Sequence, residues 1–374
     1  MKFSVSSTGL FSHLQAISRV INSKNSLPIL DCFLMQLKEN KLLLTASDGE
    51  TTLTTQLEVN SSNEEGCFAV SSKTLLDALK EIPEQPLTFD VNTQTQEITV
   101  YYQNGKYSLM GQTADEYPQI PTTGTNTVHL TLDTQALLSG ITRCIFATAD
   151  DELRPVMNGI YLDINPEGIT FVASDGHKLV RSRNLSLQGN ERAAFILPKK
   201  PANLLKNLLP KEPGNVEIDF DDRNATFTLE NYRMVCRLIE GRYPNYNAVI
   251  PTNNPFRATV ERATLLSALR RVSVFSSQAS SLVKLHLDNN QLHVSAQDID
   301  FSTSAEESLP CEYEGHSLSI GFKSPFLIDI LNNINSPEVV IELADPSRAG
   351  VILPIEQEEN DDLLMLLMPM MLNN

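Results

Sequence analysis

The chain lacks the features by which most function classes can be read. No apolar run reaches the roughly 20 residues a membrane-spanning helix needs, so a transmembrane segment is not expected. The opening MKFSVSSTGLF has no apolar core of a signal peptide. Cys32, Cys67, Cys144, Cys236 and Cys311 are scattered, with no Cys-x-x-Cys pair. That pattern argues against a disulfide framework or a zinc cage, and for reduced, buried thiols in a cytosolic protein. There is no low-complexity stretch, no Gly-x-x-x-x-Gly-Lys phosphate loop, no dinucleotide fingerprint, no Gly-x-Ser-x-Gly elbow and no His pair at metal spacing. No catalytic set, cofactor or metal is expected.

What is present is repetition. LLLTASDGETTL around Asp48 returns as ITFVASDGHKLV around Asp175 and, more loosely, as LHVSAQDIDFST around Asp298. LFSHLQAISRVI from Leu10 recurs as ALLSGITRCIFA from Ala136 and LLSALRRVSVFS from Leu265. KTLLDALKEIPE from Lys73 recurs as KPANLLKNLLPK from Lys200 and SPFLIDILNNIN from Ser324. Tyr117-Pro118 and Tyr243-Pro244 close the first two copies. A step of about 125 residues is the length of a domain, not of a solenoid unit. Clusters of Pro, Thr, Gly and Asn at Pro121–Thr127 and Pro251–Pro255 mark the boundaries. The predicted domains are therefore 1–122, 128–252 and 253–374.

Each copy opens with a short predicted strand: Lys2–Val5, Val128–Leu132 and Phe256–Val260. A helix follows, with Leu10, Leu14, Ile17 and Ile21 on one apolar stripe. Alternating strands come next, with turns predicted at Glu39-Asn40, Asn92-Thr93 and Asn104-Gly105. A second helix divides each copy into two strand–helix–strands units. The expected fold class is α+β, with antiparallel sheets covered on one face by helices.

Net charge is −17, which by itself disfavours a polyanionic partner. The six predicted helical segments are Thr8–Lys24, Ser71–Ile82, Asp133–Ala147, Leu197–Lys211, Glu261–Phe275 and Phe322–Asn335. Together they carry +8, leaving −25 elsewhere. Two readings stand. The helices form one weakly positive face suited to loose, sequence-blind contact with duplex DNA, through Lys24, Lys73, Lys80, Lys199, Lys200, Lys206, Arg270 and Arg271. Alternatively, these are ordinary solvated helix charges.

Asp175 and His177 could be read as an acid–base pair. Asp recurs in all three copies while His stands in only one, which favours a structural Asp-turn. The tail LLMLLMPMMLNN is costly to leave in water. It is either a buried terminal strand or the lining of an adaptable, methionine-rich partner groove.

With these residues in order, the chain resembles the bacterial DNA polymerase III beta subunit, the sliding clamp, over essentially its whole length. The resemblance is carried by MKFSV, SLPIL at Ser26–Leu30, NGIYLD at Asn158–Asp163, ASDGHKL at Ala173–Leu179, GRYPNY from Gly241, GFKSPFLIDIL at Gly321–Leu331 and MPM at Met368–Met370. It implies a head-to-tail homodimer of six clamp domains, with helices on the inner face around duplex DNA and antiparallel sheets outside. It implies a non-catalytic processivity subunit of a DNA-directed DNA polymerase, cytoplasmic and nucleoid-associated, with no cofactor and no metal. The partners implied are sequence-independent duplex DNA, a second copy, the polymerase III alpha subunit, the clamp loader delta subunit, and other polymerases and repair proteins. A rival from another class is a peptide-binding scaffold that never encircles DNA.

The resemblance also carries over a peptide groove. Its residues are Arg154, Met157, Ser174, Gly176, His177, Leu179, Pro244, Val249, Phe326, Leu366, Leu367, Met368, Pro369, Met370 and Met371. The chain departs from the family at Lys178, at Pro155-Val156, at Asn247-Ala248, at Met371 and at the overhanging Asn373-Asn374. Family geometry combined with apolar and charged edge residues points to Lys106, Tyr107 and Leu109 meeting Val274, Phe275, Asp300 and Glu306 across the dimer interface.

Overall fold

The computed structural model describes residues 1–62, 64–121, 124, 126–189 and 191–372, with only the backbone of Ser61. Asn373, Asn374 and part of the first boundary therefore lie outside the described residues. The first repeat comprises β1 (Lys2–Ser6), α1 (Ser7–Ile17), β2 (Cys32–Lys38), β3 (Lys41–Ser47), β4 (Thr51–Glu58), β5 (Ser61–Ser62), β6 (Gly66–Ser71), α2 (Ser72–Lys80), β7 (Pro86–Val91), β8 (Glu97–Tyr102) and β9 (Gly105–Met110). The second comprises β10 (Val128–Asp133), α3 (Thr134–Cys144), β11 (Gly159–Asn165), β12 (Gly168–Ser174), β13 (Lys178–Asn184), β14 (Ala193–Pro198), α4 (Lys199–Leu208), β15 (Asn215–Phe220), β16 (Asn224–Thr228) and β17 (Tyr232–Arg237). The third comprises β18 (Phe256–Glu261), α5 (Arg262–Val272), β19 (Leu282–Asp288), β20 (Gln291–Asp298), β21 (Thr303–Pro310), β22 (Glu312–Glu314), β23 (Leu318–Lys323), α6 (Ser324–Asn332), β24 (Glu338–Leu343), β25 (Gly350–Pro354) and β26 (Asp361–Leu367). The α+β expectation and its two strand–helix–strands units per repeat hold in all three copies.

The described chain divides into two compact units, 1–135 with 203–238, and 136–202 with 239–374. The division runs through the second repeat because strand pairing joins each half of that repeat to a neighbour. In the first unit β4 pairs antiparallel with β17, so one sheet runs β10-β15-β16-β17-β4-β3-β2-β6. In the second unit β13 pairs with β26, giving β14-β11-β12-β13-β26-β25-β24-β18-β22. Two smaller sheets complete the units, β5-β1-β7-β8-β9 in the first and β21-β20-β19-β23 in the second. In these, β9 and β21 are edge strands.

Local chemistry accounts for the elements. The Ser6 hydroxyl accepts the Gly9 amide and so caps α1, and Ser71 does the same for α2 through Thr74. The tight turn at Glu39-Asn40 has φ of 50° and 58°, and Asn289-Asn290 repeats it at 48° and 61°. Asparagine tolerates this left-handed region, which the twist of a two-residue hairpin demands. The turn expected at Asn104-Gly105 is set one residue earlier, because Gly105 already pairs with Tyr102.

The stripe on α1 buries Leu10, Leu14 and Ile17. It was expected to continue to Ile21, but the α-helix ends at Ile17. A 3-10 turn over Ser18–Val20 follows, and Ile21 is extended. Tightening the last turn swings Val20 into the core in place of Ile21. As a correction to the predicted Thr8–Lys24 helix, Lys24 lies in the connection beyond it. The two Tyr-Pro turns anchor equivalent cores. Tyr117 packs with Ile29, Leu30 and Ala69, and Tyr243 packs with Leu179, Val351 and Leu366.

Candidate functional site

The Asp of each repeat is a turn-former. Asp48 Oδ1 accepts the amides of Glu50 and Thr51 at 2.9 and 2.7 Å. Asp175 Oδ1 accepts those of His177 and Lys178, both at 2.9 Å. Asp298 Oδ1 accepts those of Asp300 and Phe301 at 3.1 and 3.3 Å. The second oxygen of Asp175 takes the buried Lys178 ammonium at 2.7 Å. Burial raises the Asp175 pKa, but the Lys178 side chain and the two amides outweigh it and hold the carboxyl below its ordinary value. This carboxylate is committed to the turn and the lysine, and it meets His177 only through the backbone amide.

That turn carries the wall of the candidate site. The His177 ring stacks on Phe326 at a centroid distance of 5.5 Å. Two ammonium groups flank the same ring, Lys178 at 4.3 Å and Lys323 at 5.0 Å. Both ammonium groups lie within the range at which a cation is attracted to the face of an aromatic ring. The Met368 amide donates to the His177 carbonyl at 2.8 Å, and the Met370 amide donates to Gly321 at 2.8 Å. The tail residues after β26 are therefore hydrogen-bonded to the turn on one side and to β23 on the other.

Arg154 reaches from the 3-10 turn before β11. Its Nε donates to Asp151 at 2.8 Å and its guanidinium reaches the Asp175 carbonyl at 3.4 Å. Gly176 has φ +89°, and a Cβ there would sit 2.8 Å from the Arg154 Nη1.

The carried-over groove residues fall into two layers. Met157, Ser174, Leu179, Leu366 and Leu367 are buried, as a floor or beneath it. Leu366 and Leu179 belong to one core cluster and face each other across β13 and β26. Met368, Met371, Val249, Pro244 and Arg154 are exposed, while Pro369, Met370 and Phe326 are half-buried. The tail is thus both things the sequence allowed, a core strand to Leu367 and an open apolar segment after it. Lys323 and the almost fully exposed Leu153 escaped the sequence reading. Lys323 sits inside the quoted GFKSPF motif, three residues before Phe326, a spacing that foreshadows the contact.

The helix cations are unequal. Lys73 and Lys80 are exposed on α2. Lys199 is paired with Asp150 at 2.6 Å, Arg271 makes a two-pronged contact with Glu307, and Arg270 donates to Asn332 at 2.9 Å. Lys200 and Lys206 are half-buried. Lys106, Tyr107 and Leu109 lie on the edge strand β9, and Glu306 lies on the edge strand β21. Val274 and Phe275 are exposed beyond α5, and Asp300 stands in the β20–β21 turn. Among the described residues no helix is long and apolar enough to cross a membrane, and no His, Cys, Asp and Glu group could hold a metal ion. Burial pushes the Cys144 and Cys236 thiols up to about 12, as expected of inert core cysteines.

Three family models match in order: DNA polymerase III beta subunit N-terminal domain over residues 1–121, central domain over 131–245 and C-terminal domain over 247–371. The chain is 27% identical over 373 residues to the beta sliding clamp of Pseudomonas aeruginosa, covering 100% of both. It is 28% identical over 372 residues to that of Haemophilus influenzae, again covering 100% of both. The crystal structure of the DNA polymerase III subunit beta from Pseudomonas aeruginosa superposes with a TM-score of 0.94 at 25% identity over 100% of both chains. The clamp of Bacillus subtilis, at 20% identity, shares the fold with a TM-score of 0.92 over 100% of both.

Proposed function

The chain belongs to the DNA polymerase III beta-subunit family, the sliding clamps, and on that premise we propose that two copies close head to tail around duplex DNA. It acts as a non-catalytic, cytoplasmic processivity subunit. It bears three clamp domains, near 1–122, 128–252 and 253–374.

One observation carries the closure. The two junctions between repeats use the same rung. In the second repeat a ladder runs His129, Asp219, Thr226, Val235, and Val235 then faces Thr52. In the third it runs Arg257, Glu342, Val351, Leu366, and Leu366 then faces Leu179. Thr52 and Leu179 pair back to Ser47 and Ser174 beside the two Asp-turns. The first repeat has the same ladder, Lys2, Asp90, Thr99, Ser108, but it ends at the open edge β9. The third repeat has the matching acceptor, Ser304, which pairs back to Gln297 on the open edge β21. Applied a third time, the rule sets Ser108 of one subunit opposite Ser304 of the next. Lys106 then faces Glu306 and Tyr107 faces Ala305, which joins opposite charges on one face and apolar groups on the other. Val274 and Phe275 extend the apolar side.

Lys24, Lys73, Lys80, Lys199, Lys200, Lys206, Arg270 and Arg271 supply weak phosphate contact inside the ring. Contact of that kind positions without reading sequence. The site around His177, Phe326 and Met368–Leu372 takes short peptides of the polymerase alpha subunit, the loader delta subunit, other polymerases and repair proteins. One buried Leu or Phe of such a peptide contributes about 1.5–3 kcal/mol. Ordering costs then leave affinities in the micromolar range, which allows exchange.

The deciding experiment is topological. Protein loaded on a closed DNA circle should stay through high salt and leave when the circle is cut. Loss to salt from circle and linear DNA alike would mark a surface binder and defeat the ring.

A further inference from the structure

The turns that follow the three Asp residues differ in length. Three residues separate Ser47 from Thr51 and Ser174 from Lys178, while five separate Gln297 from Thr303. The longer turn presents Ile299 and Phe301 at 79% and 78% exposure. Two large apolar side chains held this far into water, two positions apart on one turn, mark a contact surface.

The other two junctions show what this turn touches. At the first, the Arg237 amide donates to the Glu50 carbonyl at 2.9 Å, and the two side chains approach to 3.8 Å as an ion pair. At the second, the Met368 amide donates to the His177 carbonyl at 2.8 Å. Arg237 and Met368 each stand one residue past the last rung of their junction, Cys236 with Thr51 and Leu367 with Lys178. By the ladder given above, the residue in that place in the first repeat is Met110. It is 67% exposed and ends the open edge strand. Where the first junction sets a charge on each side, the third sets Met110 opposite Ser302, with Ile299 and Phe301 in the same turn.

We infer that the β20–β21 turn is an apolar clasp for a second copy of this chain, in which Ile299 and Phe301 close over the partner's Met110. The inference rests on the β21–β9 pairing proposed above and extends it at one end. The clasp adds selectivity for self. A clamp subunit with a three-residue turn, or with a charged residue at the place of Met110, would lose this contact while keeping the strand pairing.

The test is a dilution series of the full chain by sedimentation velocity. Ile299→Ser with Phe301→Ser should raise the dimer dissociation constant tenfold or more, with the circular dichroism spectrum unchanged. Met110→Ser should raise it similarly, and the triple variant should add little further, as expected of one shared contact. Glu306→Lys serves as the arm for the strand pairing. A loop variant that dimerises like the parent while Glu306→Lys weakens the dimer overturns the clasp and spares the pairing. If both variants dimerise normally, or the parent is monomeric throughout, the pairing itself fails and the clasp with it. If the loop variant weakens but Met110→Ser does not, the seat on Met110 is wrong and the inference is rejected.

Discussion

The Met368 amide donates to the His177 carbonyl at 2.8 Å, so the chain leaves β26 locked to the turn that Asp175 holds. Two segments almost two hundred residues apart in sequence thereby share one wall of the candidate site. The apolar tail is tied down by its backbone, and the side chains of Met368 and Met371 are exposed. A flexible side chain on a fixed backbone suits a surface that accepts several partners.

The turn depends on Gly176. Its φ of +89° is strained for any residue with a side chain, and an added methyl would meet the Arg154 guanidinium. Gly176→Ala should lower stability by about 1 kcal/mol in urea unfolding. It should also displace Arg154 and weaken peptide binding. Parent values for both stability and peptide affinity would show that the turn relaxes freely.

Asp175 gives an acid dependence with a definite sign. Its folded pKa lies below the ordinary carboxylate value of about 3.9. Its contribution is therefore fully present above that value and lost as pH falls through the folded pKa. Asp175→Asn should be less stable than the parent at neutral pH, and the difference should shrink below about pH 4 as the parent carboxyl protonates. Melting curves across that range measure it. A difference that stays constant down to the acid transition would mean the carboxylate is not linked to folding.

Met370→Lys separates the site from the core. Met370 is half-buried and held by its amide to Gly321, so its side chain can change without removing the bridge. The expected result is at least about a tenfold loss of affinity for a polymerase-derived peptide, from lost apolar burial. Dimerisation and melting temperature should be nearly unchanged. Parent affinity in this variant would make the methionine tail a terminal strand and no more.

The sequence by itself determined the repeat, the Asp-turns and the element types. These are local facts: a period of two or of 3.6, an Asx residue before a tight turn, asparagines where φ must be positive. The family motifs drew His177, Pro244, Phe326 and the methionine tail together. The apolar stripe of α1 runs on to Ile21 and so predicts a helix reaching Lys24, because a stripe does not record where a 3-10 turn takes over. The resemblance carried over Leu179, Leu366 and Leu367 together with the exposed methionines, and only the folded chain shows that the three leucines are buried.

Only the tertiary structure decided which strands meet across repeats. The pairing of β4 with β17 and of β13 with β26 is non-local, and no period along the chain encodes it. Those two pairings divide the middle repeat between two units, while β9 and β21 stay at the edges of their own sheets. The physical reason is that a β-strand presents hydrogen-bonding groups on both sides. Its sequence shows that it will be a strand, and only the folded arrangement shows which side is still unfilled.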